Sequence, residues 1–357
     1  MRAEVRLAEL FGYRHVVLFG RARAGLVAVL ESVAGPGAPL VMPSNLCPAV
    51  LAAAVAAGVR PRLAPVSPAS GLAEDDRLCA AMAAAGGAGV VMPTHLYGLL
   101  AEYPETRRTA ARDGWFVLEN DTLCAAAVAD GRRRAFGDAL LVSFNHVKTI
   151  EAGFGGAVLT DDDRLAADLA ARAARWPVLA PADEAVEADL TLARRHLRAL
   201  GRGAIGEQLL DIDAAHCRHA FPESRRPALD AALEAFPAAI QARRRRVEWW
   251  GQALAGLDGL AAVPVPLSMP WRLVLCAASP ALRDRLVVAL RQAGFDAGTN
   301  FPPLAADFPA LLAGQGHRDA DEWGRRVINL WLTEAYDASR INAAARVMAA
   351  CLDEDDP

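Results

Sequence analysis

A single lysine stands among 37 arginines in this chain of 357 residues, at position 148. On a surface, lysine exchanges for arginine at little cost, because both carry a solvated positive charge. The exchange fails where the amine itself reacts. A guanidinium stays protonated, whereas a desolvated lysine can lose its proton and attack an aldehyde to form an imine. Lys148 is therefore a candidate covalent amine, the plain alternative being a surface lysine retained by chance. It sits in "FGDALLVSFNHVKTIEAGFGGAVLT", residues 136–160, which reads as strand, short polar loop, glycine-rich turn and strand. Ser143, five residues before the lysine, can donate to a phosphate. Gly153, Gly155 and Gly156 allow backbone to pass close to a bound ligand. These glycines do not open a helix after a strand, so a dinucleotide loop is a weak reading.

A reactive loop of this kind needs a sheet to carry it. Short apolar runs predict strands at Val16–Phe19, Leu40–Met42, Arg62–Pro65, Gly89–Pro93, Trp115–Glu119, Leu140–Phe144 and Ala157–Thr160. Helical patterns at Arg23–Ala34, Ala49–Ala57, Leu78–Ala85 and Pro104–Asp113 fall between several of them. Such alternation predicts an α/β fold with a mainly parallel sheet flanked by helices, and a site at the carboxyl ends of its strands. Residues 162–201 read as helical and charged, and a long helix is expected from about Pro227 to Leu257. Beyond it lie strand candidates Ala261–Val265, Arg272–Ala277, Phe295–Asn300 and Val327–Trp331, with helices at Pro280–Ala293 and Ala338–Leu352. The expected division is a large domain over 1–230 and a smaller α+β domain over 231–357.

Bulk properties exclude several classes. Net charge is −4, and 54% of residues are hydrophobic. The arginines are dispersed and balanced by acids, so no nucleic-acid partner is expected. The run Arg243 to Arg246 reads as the polar face of the long helix. The opening "MRAEVRLAEL" carries charges where a secretory leader has an apolar core, and no uncharged run reaches the ~18 residues that span a bilayer. The expectation is a cytoplasmic protein without membrane contact. Its six scattered cysteines read as small core residues in a reduced compartment. The final "DEDDP" is expected to be a solvated tail. No GxSxG, HExxH or Walker A spacing appears, and the histidines and cysteines lack metal-ligand spacing, so no metal is expected.

Several segments, in order, resemble the DegT/DnrJ/StrS family of sugar aminotransferases, whose architecture is the fold-type I pyridoxal-phosphate (PLP) transferase. Ser143-Phe144-x-x-x-Lys148 followed by Gly153, Gly155 and Gly156 matches the family's Ser-Phe-x-x-x-Lys and glycine-rich strand entry. "FGD" at 136–138, "VMPTHLYG" at 91–98 and "LVMPSNLCPAVLAAAVAAGVRPRLAPV" at 40–66 match further segments. The resemblance covers most of 5–165 and continues more faintly through "RDRLVVALRQAGFDAGTNFPPL". It implies that Lys148 carries PLP as a Schiff base (an internal aldimine) and shuttles a proton, and that Ser143 binds the phosphate. It places "GRARAGL" at 20–26, including Arg23 and Ala24, at the family's phosphate loop, where a helix N-terminus favours an anion. Arg21 and Arg23 then either supply phosphate charge or are simply solvated. His95 falls near the cofactor or a dimer interface, or is structural.

The pattern also breaks. The family's Glu-Asp-Ala-Ala-Gln is here "LENDTL", and a gapless match puts Asn120 where the ring-nitrogen aspartate belongs. Asp121 is one residue late, and only a strand-end bulge lets it reach the nitrogen. The need for an acid there favours Asp121; the alignment favours Asn120. The family's glutamine becomes Leu123, its stacking aromatic falls near Cys47, and "HCRHAFPESRRP" stands where an Asn-x-Arg segment crosses the dimer. Three functions follow as expectations. The leading one is a homodimeric aminotransferase in secondary metabolite biosynthesis, moving nitrogen from Glu or Gln to a keto-sugar nucleotide or related precursor. The second is the same fold diverted to elimination, replacement or C–N bond formation. The third is a non-catalytic, ligand-binding relative.

Overall fold

The computed structural model describes residues 3–127, 135–200, 203–263 and 269–353. Seven strands form the larger sheet: β1 (His15–Phe19), β2 (Pro39–Pro43), β3 (Arg60–Ala64), β4 (Val90–Val91), β5 (Phe116–Asn120), β6 (Ala139–Ser143) and β7 (Gly156–Thr160). Their order across the sheet is β1-β7-β6-β5-β4-β2-β3. Pairings from β3 through β6 are parallel, and β7 runs antiparallel to both its neighbours. All seven expected strands are present, with ends moved by at most two residues. β2, β6 and β7 are buried at every position. That follows from unbroken runs such as "ALLVS" and "GAVLT", which need helices on both faces. The helix Ala22–Val33 covers one face and buries Ala24 to Leu30 without a gap. The helices Ala49–Ala57 and Pro104–Asp113 each end at a glycine in the left-handed region, Gly58 and Gly114.

Four further strands, β8 (Leu260–Ala262), β9 (Leu273–Ala277), β10 (Ala297–Gly298) and β11 (Val327–Leu330), form an antiparallel sheet ordered β10-β11-β9-β8. The expected strand at Ala261–Val265 is seen through Ala262, and its positions 264 and 265 lie outside the described residues. The expected tail from 354 onward does too. Alternation along β9 divides its side chains between two cores. Leu273 and Leu275 pack with Trp250, Leu286 and Met348, whereas Val274 and Cys276 face the core of the large sheet.

One helix, Arg226–Ala253, joins the two units. Leu229, Leu233, Phe236 and Ile240 repeat at the 4-3-4 spacing of a single helix face and pack beside the large sheet, while Trp250 belongs to the second core. Arg243 corrects the expectation of an all-polar face over 243–246. It is buried and donates to Trp271 O at 2.9 Å, while Arg244 and Arg245 stay exposed. Among the described residues no helix is long and apolar enough to cross a membrane. All six cysteines are free; Cys124, Cys217 and Cys276 are buried as expected, and Cys47 is exposed.

Candidate active site at the carboxyl ends of the strands

β2, β4, β5 and β6 all point their carboxyl ends at one cavity of about 260 Å³. Its wall includes Cys47 after β2, His95 after β4, Asn120 at the end of β5, Ser143 at the end of β6, and Lys148. Leu26, Leu46, Leu96, Leu123, Leu141 and Phe301 make the rest of the wall largely apolar.

Lys148 Nζ lies 3.3 Å from Thr122 Oγ1. Burial lowers the affinity of this amine for a proton below that of an ordinary lysine, and the nearby Arg272 cation pushes the same way. The loop carrying it is held tightly. Val147, a β-branched residue, adopts a left-handed backbone with φ 60°. Trp271 Nε1 donates to Val147 O at 2.6 Å, and Arg243 reaches Lys148 O at 3.5 Å. Both clamps come from beyond the large sheet, so the C-terminal half of the chain fixes the one lysine. On the other side, Gly156 lies against the start of the helix Ala22–Val33. A methyl group there would stand 2.4 Å from Ala22 Cα, and this close approach is what the glycine serves.

Asn120 and Asp121 part company at the end of β5. Asn120 pairs in register with Leu141, with no bulge, so the two side chains leave on opposite sides. Asn120 lines the cavity, and its Oδ1 is buried without a partner. Asp121 turns away. Its two carboxyl oxygens accept from Ala125 N at 2.6 Å and Ala126 N at 2.9 Å, and burial pushes its pKa up to about 7. The chemical preference for Asp121 at the cavity is therefore corrected: Asn120 holds that position because the ladder continues without an extra residue.

His95 is buried on the cavity wall, with Nε2 at 2.9 Å from Glu119 Oε2 and Nδ1 accepting from Ala101 N at 3.3 Å. This pattern assigns the Nε2–H tautomer. Ala24, in contrast, is fully buried, its N–H donates to Arg21 O, and it is not part of the cavity wall.

Arg21 and Arg23 both line the cavity, at the start of the helix Ala22–Val33, whose first N–H groups receive no side-chain cap. Neither is a solvated surface residue. Arg21 Nε donates to Glu187 at 2.9 Å and its Nη2 to Glu184 at 3.1 Å. Arg23 Nη1 donates to Asp213 at 2.7 Å, and its Nη2 contacts Glu187. Arg194 reaches Asp213 at 2.9 Å, and Arg225 reaches Glu184 at 2.5 Å. Four guanidinium groups thus meet three carboxylates, leaving positive charge in excess within this network. Arg21 Nη1, Arg23 Nε and Arg194 Nη1 remain buried without partners. Glu184, Glu187 and Arg194 lie on the helix Pro181–Ala199. Sequence reading missed all three, as it missed Thr122, Asn145 and Phe301. Glu184, Glu187 and Arg194 lie in no motif, and only tertiary packing brings Glu187 back to residues 21–23.

Comparison with known proteins follows the same division. The DegT/DnrJ/EryC1/StrS aminotransferase family model matches residues 2–177. Those residues, just under half of the chain, carry the sequence pattern of this family. GDP-perosamine synthase of Caulobacter vibrioides is 27% identical over 168 residues, covering 46% of this chain and 45% of that protein. L-glutamine:2-deoxy-scyllo-inosose aminotransferase of Streptoalloteichus tenebrarius is 29% identical over 224 residues, covering 59% and 52%. The chain thus spans about half the length of the curated relatives it matches. The fold extends further than the sequence signal. The aminotransferase TlmJ from Streptoalloteichus hindustanus superposes with a TM-score of 0.76 at 21% identity, covering 99% of this chain and 90% of that one. The fold of that aminotransferase therefore extends over the whole of this chain, including the region beyond 177.

Proposed function

We propose that this protein is a PLP-dependent aminotransferase of DegT type that moves an amino group from glutamate or glutamine to a keto-sugar nucleotide or a related secondary-metabolite precursor. The observation that carries the reading is the state of Lys148. It is an amine of lowered proton affinity on the wall of a largely apolar cavity, with unpartnered cationic donors beside it. A non-catalytic relative has no use for such an amine.

The residues present fit the cofactor. Arg21 Nη1 and Arg23 Nε, with the Ser143 hydroxyl, would hold the phosphate, and Asn120 would meet the ring nitrogen. When bound, the group supplies an aldehyde for the amine and a conjugated ring that withdraws electrons from the attached carbon. Lys148 would be the base and acid that takes and returns the substrate proton at its Nζ. Thr122 keeps that nitrogen oriented, and Leu26, Leu96, Leu123 and Phe301 keep water from it. Asn120 is neutral, so it gives a protonated ring nitrogen no charge stabilisation. Pairing of two copies, as the family resemblance implies, and a cytoplasmic location belong to the same reading.

Asn120 also supports a second reading, in which the same fold runs elimination, replacement or C–N bond formation. The two separate on one experiment. Protein loaded with PLP is mixed with glutamate or glutamine, and its visible absorption is followed. Conversion to a pyridoxamine-phosphate spectrum, reversed by a keto acceptor, is expected for transamination. A band unchanged by either donor supports the diverted reaction instead. A Lys148→Ala variant that develops the wild-type band would remove the basis of both.

A further inference from the structure

The helix Pro181–Ala199 begins beside a second cluster that the cavity chemistry does not use. Asp183, in its first turn, faces His216 and His219. Asp183 Oδ1 lies 3.8 Å from His216 Nδ1, and its Oδ2 lies 3.5 Å from His219 Nε2. Candidate ligand atoms of all three residues fall within 4.8 Å of one another. These separations are too long for charge-assisted hydrogen bonds, which run at roughly 2.7–2.9 Å. Tetrahedral bond lengths of about 2.0–2.2 Å put neighbouring ligands roughly 3.3–3.6 Å apart, a range that holds the 3.5 Å separation and falls just short of the 3.8 Å one. His219 is only 4% exposed, and its Nδ1 is buried with no partner.

We propose that Asp183, His216 and His219 form a binding site for a borderline divalent cation of the zinc type. Two imidazoles and a carboxylate are the donor set such ions prefer, and the part-exposed side at Asp183 and His216 leaves room for water as a further ligand. Spacing alone gave no hint of it, because Asp183 is remote from the two histidines in the chain and reaches them only through the fold. The ion would tie the start of the helix Pro181–Ala199 to the 216–219 turn. That turn is already bound to the arginine loop, since Gly20 N donates to His219 O at 3.0 Å. Asp183 is followed directly by Glu184, which holds Arg21. A cation here therefore sets the position of the carboxylates that face Arg21 and Arg23.

The test uses full-length protein without PLP, so its outcome is separate from the cofactor reading. The protein is titrated with Zn²⁺ against a chromophoric chelator, and with Co²⁺ followed by visible absorption. One equivalent is expected to bind, with affinity lowered at least tenfold in both Asp183→Asn and His216→Ala. Neither side chain is fully buried, and circular dichroism checks that both variants fold. Absence of binding at millimolar metal would overturn the proposal. So would unchanged affinity in both variants, or a thiolate-to-cobalt charge-transfer band, which would place the ion on a cysteine.

Discussion

Asn120 and Asp121 are neighbours with opposite duties. The Asn120 amide faces the cavity, whereas the Asp121 carboxyl secures the turn that follows β5. With pyridine-¹⁵N-labelled PLP bound at neutral pH, the ring nitrogen is expected to give the chemical shift of an unprotonated pyridine. In Asn120→Asp it should move to the protonated value, and an equal shift in the two proteins would contradict the assignment. Asp121 makes a separate claim through stability. Its folded pKa is about 7, above the ~3.9 of an unfolded aspartate. Between those values the folded state binds more protons than the unfolded one, so this group's contribution to stability falls as pH rises through that window. Asp121→Asn should therefore be least favourable, relative to wild type, near pH 4. It should gain on wild type by up to a few kcal/mol, roughly, as pH rises to 8. Denaturant unfolding at several pH values checks this; a stability difference independent of pH is the opposing result. At this scale the sequence was informative about Lys148 because a lone amine among arginines is a chemical signal. It was ambiguous about Asn120 because strand register, not residue type, decides which neighbour faces the ligand.

Two elements decide what the arginine side of the cavity can bind. The first is β7, whose leading residue Gly156 admits the start of the helix Ala22–Val33. Gly156→Ala puts a methyl 2.4 Å from Ala22 Cα and 2.5 Å from Ala22 N. Backbone cannot yield as a side chain does, so an overpacking cost of about 1–3 kcal/mol is expected in denaturant unfolding. The second is the helix Pro181–Ala199, whose Glu187 sits on both arginines of the loop. Glu187→Gln should release them and tighten PLP binding about fivefold, equivalent to about 1 kcal/mol, by spectroscopic titration. Weaker binding would mean that Glu187 positions the arginines rather than competing for them. The strands and helices around this site were readable because each is a continuous apolar run or a capped helical pattern. The charged helix was readable as a helix, but the docking of its acids on residues 21–23 depends on contacts across more than 160 positions.

Across the whole molecule, the C-terminal half acts on the N-terminal one at Lys148. Arg243 and Trp271 hold the backbone of Val147 and Lys148 from the joining helix and from the segment entering β9. Trp271→Phe keeps the ring and removes the hydrogen bond. Hydrogen exchange over 144–150 is expected to quicken about tenfold, a loss of about 1.4 kcal/mol in local protection. Unchanged exchange would mean that the left-handed turn at Val147 holds itself. The small unit was legible as α+β, yet its grip on the loop of Lys148 was not, because Arg243 looked like one more surface arginine in a run of four. The scarcity of lysine makes the sharpest test possible. Pyridoxal phosphate is added, imines are reduced with borohydride, and the digested protein is analysed by mass spectrometry. Only Lys148 and the chain's amino terminus offer amines, so the outcome is unambiguous. A phosphopyridoxyl group on the peptide containing Lys148, absent after Lys148→Ala, is the expected result. An unmodified Lys148 peptide, or modification of the amino terminus alone, would contradict the account.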